Sequence, residues 1–375
     1  MKRIGIITYH AAYNFGSVLQ AYATQRAVEE LGNEATIINY QPKTQIDYYK
    51  RMYRYKISPK FFIKDLSLLP VHGARKIRAQ KYDSFIATEM HLTEKMYTTT
   101  AELDEVRDTF DVYVSGSDQI INKHSNELES DDWPAMDPYL LSFTKRKKIS
   151  YASSPASMTQ EEIERIAPAL REFDALSARE HDAAEMMKRA VGKKVDNVVD
   201  PTLLLDDGVW RSVASRCKTI FPDKYAVYYT LDGTNKVWGR RKTLKVLAKQ
   251  LGFPILVVTP FAFLPSDEEL QGCHDFGPLD FLKAIDNASL VITDSYHGTL
   301  FSINFGVPFL SISDGSASSR RKDQILEKVS LENHIVRELD ESILRAAEAD
   351  WNVAATKSRL YELRDKSLAY LSDSL

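Results

Sequence analysis

The sequence is short of sulfur chemistry. Cys217 and Cys273 are its only cysteines, they form no CxxC pair, and no histidine set stands near them at zinc-ligand spacing. A disulfide framework and a structural zinc site are thereby excluded, and two buried, reduced thiols are expected. No cluster of His, Cys, Asp and Glu elsewhere has metal-ligand spacing, so no metal is expected. Long apolar runs are missing too. None reaches membrane-spanning length, and the run inside MKRIGIITYH is too short for a signal-peptide core. A cytoplasmic protein is expected, with peripheral contact at the inner membrane face as the alternative. The charge has no strong sign: a formal net charge of -3 gives no global reason to expect a nucleic-acid partner. GxGxxG, P-loop and GxSxG signatures are absent, as are solenoid-length repeats and low-complexity tracts.

What is present is an ordinary folded composition, with 44% hydrophobic and 27% charged residues. At 375 residues the chain exceeds the usual single core, which argues for two domains. RIGIITY at 3–9 reads as a buried strand, residues 17–32 as a helix stopped by Gly32, and ATIINY as a second strand. Strand, helix, strand within forty residues is what a parallel sheet with a covering crossover helix requires. FDVYVSGSD and KKISYASSPAS are further strands with polar turns, and Thr159 with Glu162 predicts a capping box opening a helix over 160–175. After Asp200-Pro201 a second series follows: strands YAVYYTL, PILVVTP, SLVITD and VPFLSIS alternate with helices, two of which stop at Gly252 and Gly306. The pattern predicts two doubly wound Rossmann-like α/β domains facing a cleft, residues 1–200 and 201–345, with a helical segment at 346–375 crossing back. Residues 43–81 are distinctive. They hold eleven Lys or Arg against Asp47 and Asp65, interleaved with Tyr48, Tyr49, Tyr53, Tyr55, Phe61 and Phe62. That mixture suits an anionic or interfacial surface, or a solvated helical insertion in the first domain.

Ligands of open parallel sheets gather at the carboxyl ends of strands, and four polar stretches fall there. After the first strand, His10, Asn14, Gly16 and Ser17 are placed to bind a ligand, with Asn14 and Gly16 permitting a turn of positive φ and Ser17 at a helix N-terminus. Ser117 and Asp118 end the second stretch, where main-chain NH groups and the carboxylate could grip sugar hydroxyls. In the third, LSA reads as a short strand aiming Arg179 at a cleft as a bidentate partner for phosphate or carboxylate. A surface pair with Glu180 or Asp182 is the bland alternative. In the fourth, VITDSYHGTLFSINFG, the strand SLVIT leads into Asp294, Ser295 and Tyr296, and His297-Gly298 open a helix. The helix dipole opposes a positive charge on that imidazole and favours a neutral donor until a bound anion restores the cation. Arg320, Arg321 and Lys322 follow the next strand, where they could bind phosphate or be solvated.

Taken together, GIITYHAAYNFGSVLQAYA, VSGSDQI, SYASSPAS, LSAREHDA, VVDPTLLL and VITDSYHGTLFSINFGVPFL resemble the polysaccharide pyruvyl transferase family in order and spacing. The resemblance implies a GT-B-like fold and transfer of pyruvate from phosphoenolpyruvate to two hydroxyls of a saccharide as a cyclic ketal, in cell-surface polysaccharide biosynthesis. It implies a substrate-binding role for Arg179 and a catalytic one for His297, with Asp118 or Asp294 as acceptor-side base. A downstream basic residue would bind the donor, Arg321 being favoured over Arg320 and Lys322. Many members carry arginine where this chain has Ser295. No metal or organic cofactor is required, and the basic segment at 43–81 suggests a lipid-linked or anionic acceptor. The rival readings are a GT-B glycosyltransferase using a nucleotide sugar and a non-catalytic saccharide-binding relative.

Overall fold

The computed structural model describes residues 1–49, 69–125, 127–128, 133–260, 262–347 and 351–375. The chain divides into two compact units: Met1–Arg51, Asp83–Leu205 and Tyr361–Leu375 form the first, Met52–Tyr82 and Asp206–Leu360 the second. The stretch 43–81, expected within the first domain, is thus shared. Its helix Lys43–Tyr49 belongs to the first unit, residues 50–68 lie outside the described residues, and the start of the helix His72–Glu89 belongs to the second. The chain's last residues group with the first unit, far from them in sequence.

In the first unit, four short strands are β1 (Arg3–Ile7), β2 (Glu34–Ile37), β3 (Val112–Ser115) and β4 (Lys147–Ser150). They pair in parallel in the order β2-β1-β3-β4. Continuous apolar runs such as Ile4, Ile6 and Ile7, all fully buried, are the mark of a sheet covered on both faces. Two further strands, β5 (Ser177–Ala178) and β6 (Asp196–Asn197), pair with each other, and single bridges from Ile149 to Ala175 and from Ser153 to Ala178 join them to β4. The capping box forms as expected: Thr159 accepts from Glu162 N, and the Glu162 carboxylate accepts from Thr159 N at 2.9 Å. The order reverses at β1, so the switch point, where a parallel sheet opens a crevice beyond its strand ends, lies between β1 and β3.

The second unit is a six-stranded parallel sheet made of β7 (Ala226–Tyr229), β8 (Ile255–Val258), β9 (Leu270–Gly272), β10 (Leu290–Thr293), β11 (Phe309–Ile312) and β12 (Ile335–Val336). Its order, β12-β11-β10-β7-β8-β9, is that of a Rossmann fold with the switch point between β7 and β10. Helices leave the strand ends: Thr234–Leu251 after β7, Tyr296–Phe305 after β10 and Ala317–Lys328 after β11. The helices stop where expected, at Gly252 and Gly306, both left-handed. Trp210, Phe281 and Phe301 pack edge to face beneath the sheet, their rings 5.0 to 5.8 Å apart. Among the described residues, no helix is long and apolar enough to cross a membrane.

Candidate active site

At the first switch point the loops after β1 and β3 are laced together by side chains. Gln20 Nε2 donates to Thr8 Oγ1 at 2.8 Å, Thr8 Oγ1 donates to the Ser117 carbonyl at 3.0 Å, and Ser117 N donates to Gln20 Oε1 at 3.1 Å. This lacing accounts for several residues predicted to bind a ligand. Ser117 is fully buried with its Oγ donating to the Ala152 carbonyl, and His10 is fully buried between the Thr8 carbonyl and Asn39. Both shape the loops. The positive-φ turn expected at Asn14 and Gly16 does not form. Asn14 is an extended N-cap, φ -128°, whose side chain accepts from Gly16 N, and Gly16 lies inside the helix Phe15–Glu30. A helix starting two residues earlier puts Ser17 in its first turn, where Oγ donates to Asp118 Oδ2 at 2.9 Å.

Asp118 leads into the most concentrated charge of this unit. The side chains meet from successive strand ends: Asp118 follows β3, Ser154 follows β4, Arg179 and Glu180 follow β5, and Asp200 follows β6. Arg179 is 1% exposed and donates Nε to Glu180 at 2.8 Å, Nη1 to Asp200 at 3.0 Å and Nη2 to Asp118 at 3.3 Å. The expected short strand and its Arg179 are therefore found, but each guanidinium nitrogen already serves a carboxylate. Three acids around one guanidinium suit hydroxyl donors better than a further anion. Asp118 is the member most open to solvent, at 11% against 7% for Glu180 and 0% for Asp200. Glu180 Oε1 also accepts from Ser154 at 2.9 Å, while its buried Oε2 has no hydrogen-bond partner among the described residues. An acceptor lone pair buried without a donor is costly unless something supplies one.

Glu127, which sequence reasoning missed, sits near this cluster. The Tyr49 hydroxyl and Gln45 Nε2 donate to it. Burial, with the negative charge of Asp118 adding, pushes its carboxyl up to about 8. Glutamate in the unfolded chain releases its proton near 4.5. Between those values the folded state binds more protons than the unfolded one, so stability falls as pH rises through that window. Glu127→Gln should remove this dependence, gaining on wild type by about 1.4 kcal/mol per pH unit in denaturant titrations across it. Parallel stability curves would show that Glu127 is ionised in the folded protein.

At the second switch point, Thr293 Oγ1 donates to the Tyr229 carbonyl at 2.7 Å and fastens β10 to β7. Asp294 then spans the switch. Its Oδ2 accepts from Thr230 Oγ1 at 2.5 Å and its Oδ1 from Leu231 N at 3.1 Å. Burial, with the charge of Asp232 adding, raises its carboxyl above the usual carboxylate range against the pull of those two bonds. Ser295 is the N-cap of Tyr296–Phe305, accepting from Gly298 N, a role in which serine is favoured. His297 is then second in the helix, 9% exposed, with the Tyr296 ring edge-on at 5.3 Å. Glycine follows because the helix rests on the sheet: a Cβ at Gly298 would lie 2.5 Å from Thr293 Oγ1 and 2.8 Å from Tyr229 Cδ1.

The three downstream cations separate. Arg321 lies over the Tyr296 ring, 6.0 Å from its centroid, and so joins the neighbourhood of His297. Arg320 is exposed. Lys322 is buried and donates to the main-chain carbonyls of Asp294, at 2.6 Å, and Ile312. Burial lowers its ammonium from the ordinary lysine value. Its charge ties the ends of β10 and β11 together. Among the described residues, no three His, Cys, Asp or Glu side chains are grouped to hold a metal ion.

Two doubly wound units with polar strand ends define a GT-B-like α/β protein. The chain is similar to UDP-N-acetylglucosamine 2-epimerase from Rickettsia bellii, at 12% identity over 99% of this chain and 96% of that one, with a TM-score of 0.53. It is also similar to UDP-GlcNAc 2-epimerase from Methanocaldococcus jannaschii, at 14% identity over 93% of each chain, with a TM-score of 0.52. At such identities the likeness establishes fold alone. No curated protein matches the chain at a significant level. The profile of the polysaccharide pyruvyl transferase family matches residues 14–316, and the chain belongs to that family.

Proposed function

We propose that the protein transfers the pyruvyl group of phosphoenolpyruvate to two hydroxyls of a saccharide, forming a cyclic ketal during assembly of a surface polysaccharide. The observation that carries this reading is His297 at the start of the helix Tyr296–Phe305 on the second switch point, with Arg321 across the Tyr296 ring. A helix N-terminus, an imidazole and a guanidinium together offer what a phosphate and a carboxylate need. In the reaction, His297 protonates the methylene carbon of phosphoenolpyruvate, which turns its second carbon into an electrophile. One hydroxyl attacks that carbon; the second displaces phosphate and closes the ring. Of the two hydroxyl protons, one replaces the proton given to the methyl group and the other leaves with phosphate.

On the acceptor side, the carboxylates around Arg179 receive saccharide hydroxyls. Asp118 is the base, and Glu180 Oε2 is a second acceptor. Arg179 orders these acids, a positioning role in place of the anion-binding one first expected of it. The scheme needs no cofactor.

The test is incubation of the full chain with phosphoenolpyruvate and a panel of hexose-bearing acceptors, following phosphate release and acceptor mass. The expected product is heavier than its acceptor by one pyruvyl ketal, with one phosphate released for each. Turnover that requires a nucleotide sugar and ignores phosphoenolpyruvate would replace this reading with glycosyl transfer.

A further inference from the structure

One cation at the second switch point has no part in the scheme so far. Arg240 lies on the helix Thr234–Leu251, which follows β7. Its Nη1 donates to Tyr228 Oη at 2.6 Å and to Asp232 Oδ2 at 2.7 Å, and the same nitrogen stands 3.5 Å from Asp294 Oδ2 as an ion pair. Tyr228 and Asp232 lie on and just after β7, and Asp294 follows β10, so the guanidinium is pinned across the switch itself. Nε and Nη2 make no hydrogen bond or ion pair with the described residues, and the side chain is 26% exposed.

In a guanidinium, Nε–H and one Nη2–H point the same way, along an edge that excludes Nη1. Fixing Nη1 by two short hydrogen bonds and the longer Asp294 ion pair sets the plane of the group and leaves that edge as a preorganised two-donor fork, the geometry that carboxylate and phosphate oxygens match. The surrounding charge permits an anion there. Lys236 also reaches Asp232, at 3.1 Å, so two cations stand against Asp232 and Asp294. The adjacent Arg241, one helical step round, is instead spent on Asp267 at 2.6 Å.

We infer that Arg240 is an oxyanion-binding residue of the second unit, presenting its Nε–Nη2 edge to a phosphate or carboxylate group. The donor role of that oxyanion rests on the pyruvyl-transfer reading above; the fork does not. Calorimetric titration of the full chain with phosphoenolpyruvate, inorganic phosphate and pyruvate tests it in wild type, Arg240→Gln, Arg240→Lys and Arg241→Gln. Losing a charged two-donor contact should weaken phosphoenolpyruvate about 10- to 100-fold in Arg240→Gln. Arg240→Lys keeps the charge without the fork and should also bind less tightly, with an unchanged thermal unfolding midpoint as evidence of its fold. Arg241→Gln should stay within about twofold of wild type. A parallel loss of phosphate affinity assigns the fork to the phosphoryl group; a parallel loss of pyruvate affinity assigns it to the carboxylate. Equal phosphoenolpyruvate affinity in wild type and both Arg240 variants overturns the inference and leaves the pyruvyl reading standing. Phosphate binding that depends on Arg240, in a protein that ignores phosphoenolpyruvate, keeps the fork and overturns the donor assignment. A wild type that binds none of the three anions overturns the fork as well.

Discussion

Gly116→Ala is expected to destabilise the protein by roughly 3–5 kcal/mol, a sum of backbone strain and overpacking, and to lower the unfolding midpoint by about 5 °C. Gly116 has φ 134°, a conformation that residues with a side chain rarely adopt, and a Cβ there would lie 2.0 Å from the Tyr151 carbonyl oxygen. That oxygen has little freedom to retreat. Tyr151 N donates to the Ser115 carbonyl at 2.9 Å, and Ser153 Oγ donates to the same oxygen at 3.1 Å, so Tyr151 is held against the end of β3. Gly239→Ala is the contrasting control. It lies inside the helix Thr234–Leu251, nothing stands within 4 Å of an added Cβ, and a gain of about 0.5–1 kcal/mol is expected. Calorimetric scans of both variants decide the matter; equal midpoints would mean that the Ser115–Asp118 turn yields to a side chain.

His297→Ala should lose pyruvyl transfer by about 10²- to 10⁴-fold, the usual contribution of a positioned proton donor, with the unfolding midpoint little changed. Alanine is at ease in a first helical turn, and the cap made by Ser295 and Gly298 is untouched. His297→Gln separates two roles. Glutamine can donate a hydrogen bond to phosphate but cannot deliver a proton, so the proton-donor assignment requires kcat to fall in both variants while KM stays within a few-fold. A glutamine variant with near wild-type kcat would leave His297 as a phosphate clamp.

Much of this architecture is legible in the sequence because most of the longer strands are largely apolar runs of four or five residues followed by a polar turn. The doubly wound pattern needs little more. The strands missing from the sequence pattern are the short β6, β9 and β12: Asp-Asn, Leu-Gln-Gly and Ile-Val carry too few apolar residues to stand out. Local chemistry was readable where the motif and its backbone coincide, as at His297, whose helix start and glycine are both visible in the chain. Groups that converge from distant segments were not. Glu180 was visible as a neighbour of Arg179, but its open oxygen depends on β3, β4 and β6 ends as well. Glu127 meets Gln45 and Tyr49 across about eighty residues. Choosing between Arg240 and Arg241 is a matter of helical phase: one position turns toward the switch, the next toward Asp267. Asn14 misled because it favours turns and helix caps alike, and the helix took it as a cap.

The first unit is not contiguous in the chain. Tyr370 Oη donates to the Ser150 carbonyl at the end of β4, Val199 N donates to Ser367 Oγ, Arg364 donates to the carbonyls of Leu203 and Leu205, and Lys2 Nζ donates to the carbonyl of Leu375. During synthesis on a ribosome, the β1–β4 sheet is made early, yet these contacts must wait until residues 364–375 have cleared the exit tunnel. The first unit is completed only after Asp206–Leu360 of the second has been made. A stop codon at position 363 would therefore strike the first unit, although the residues it removes follow the whole of the second unit in the chain.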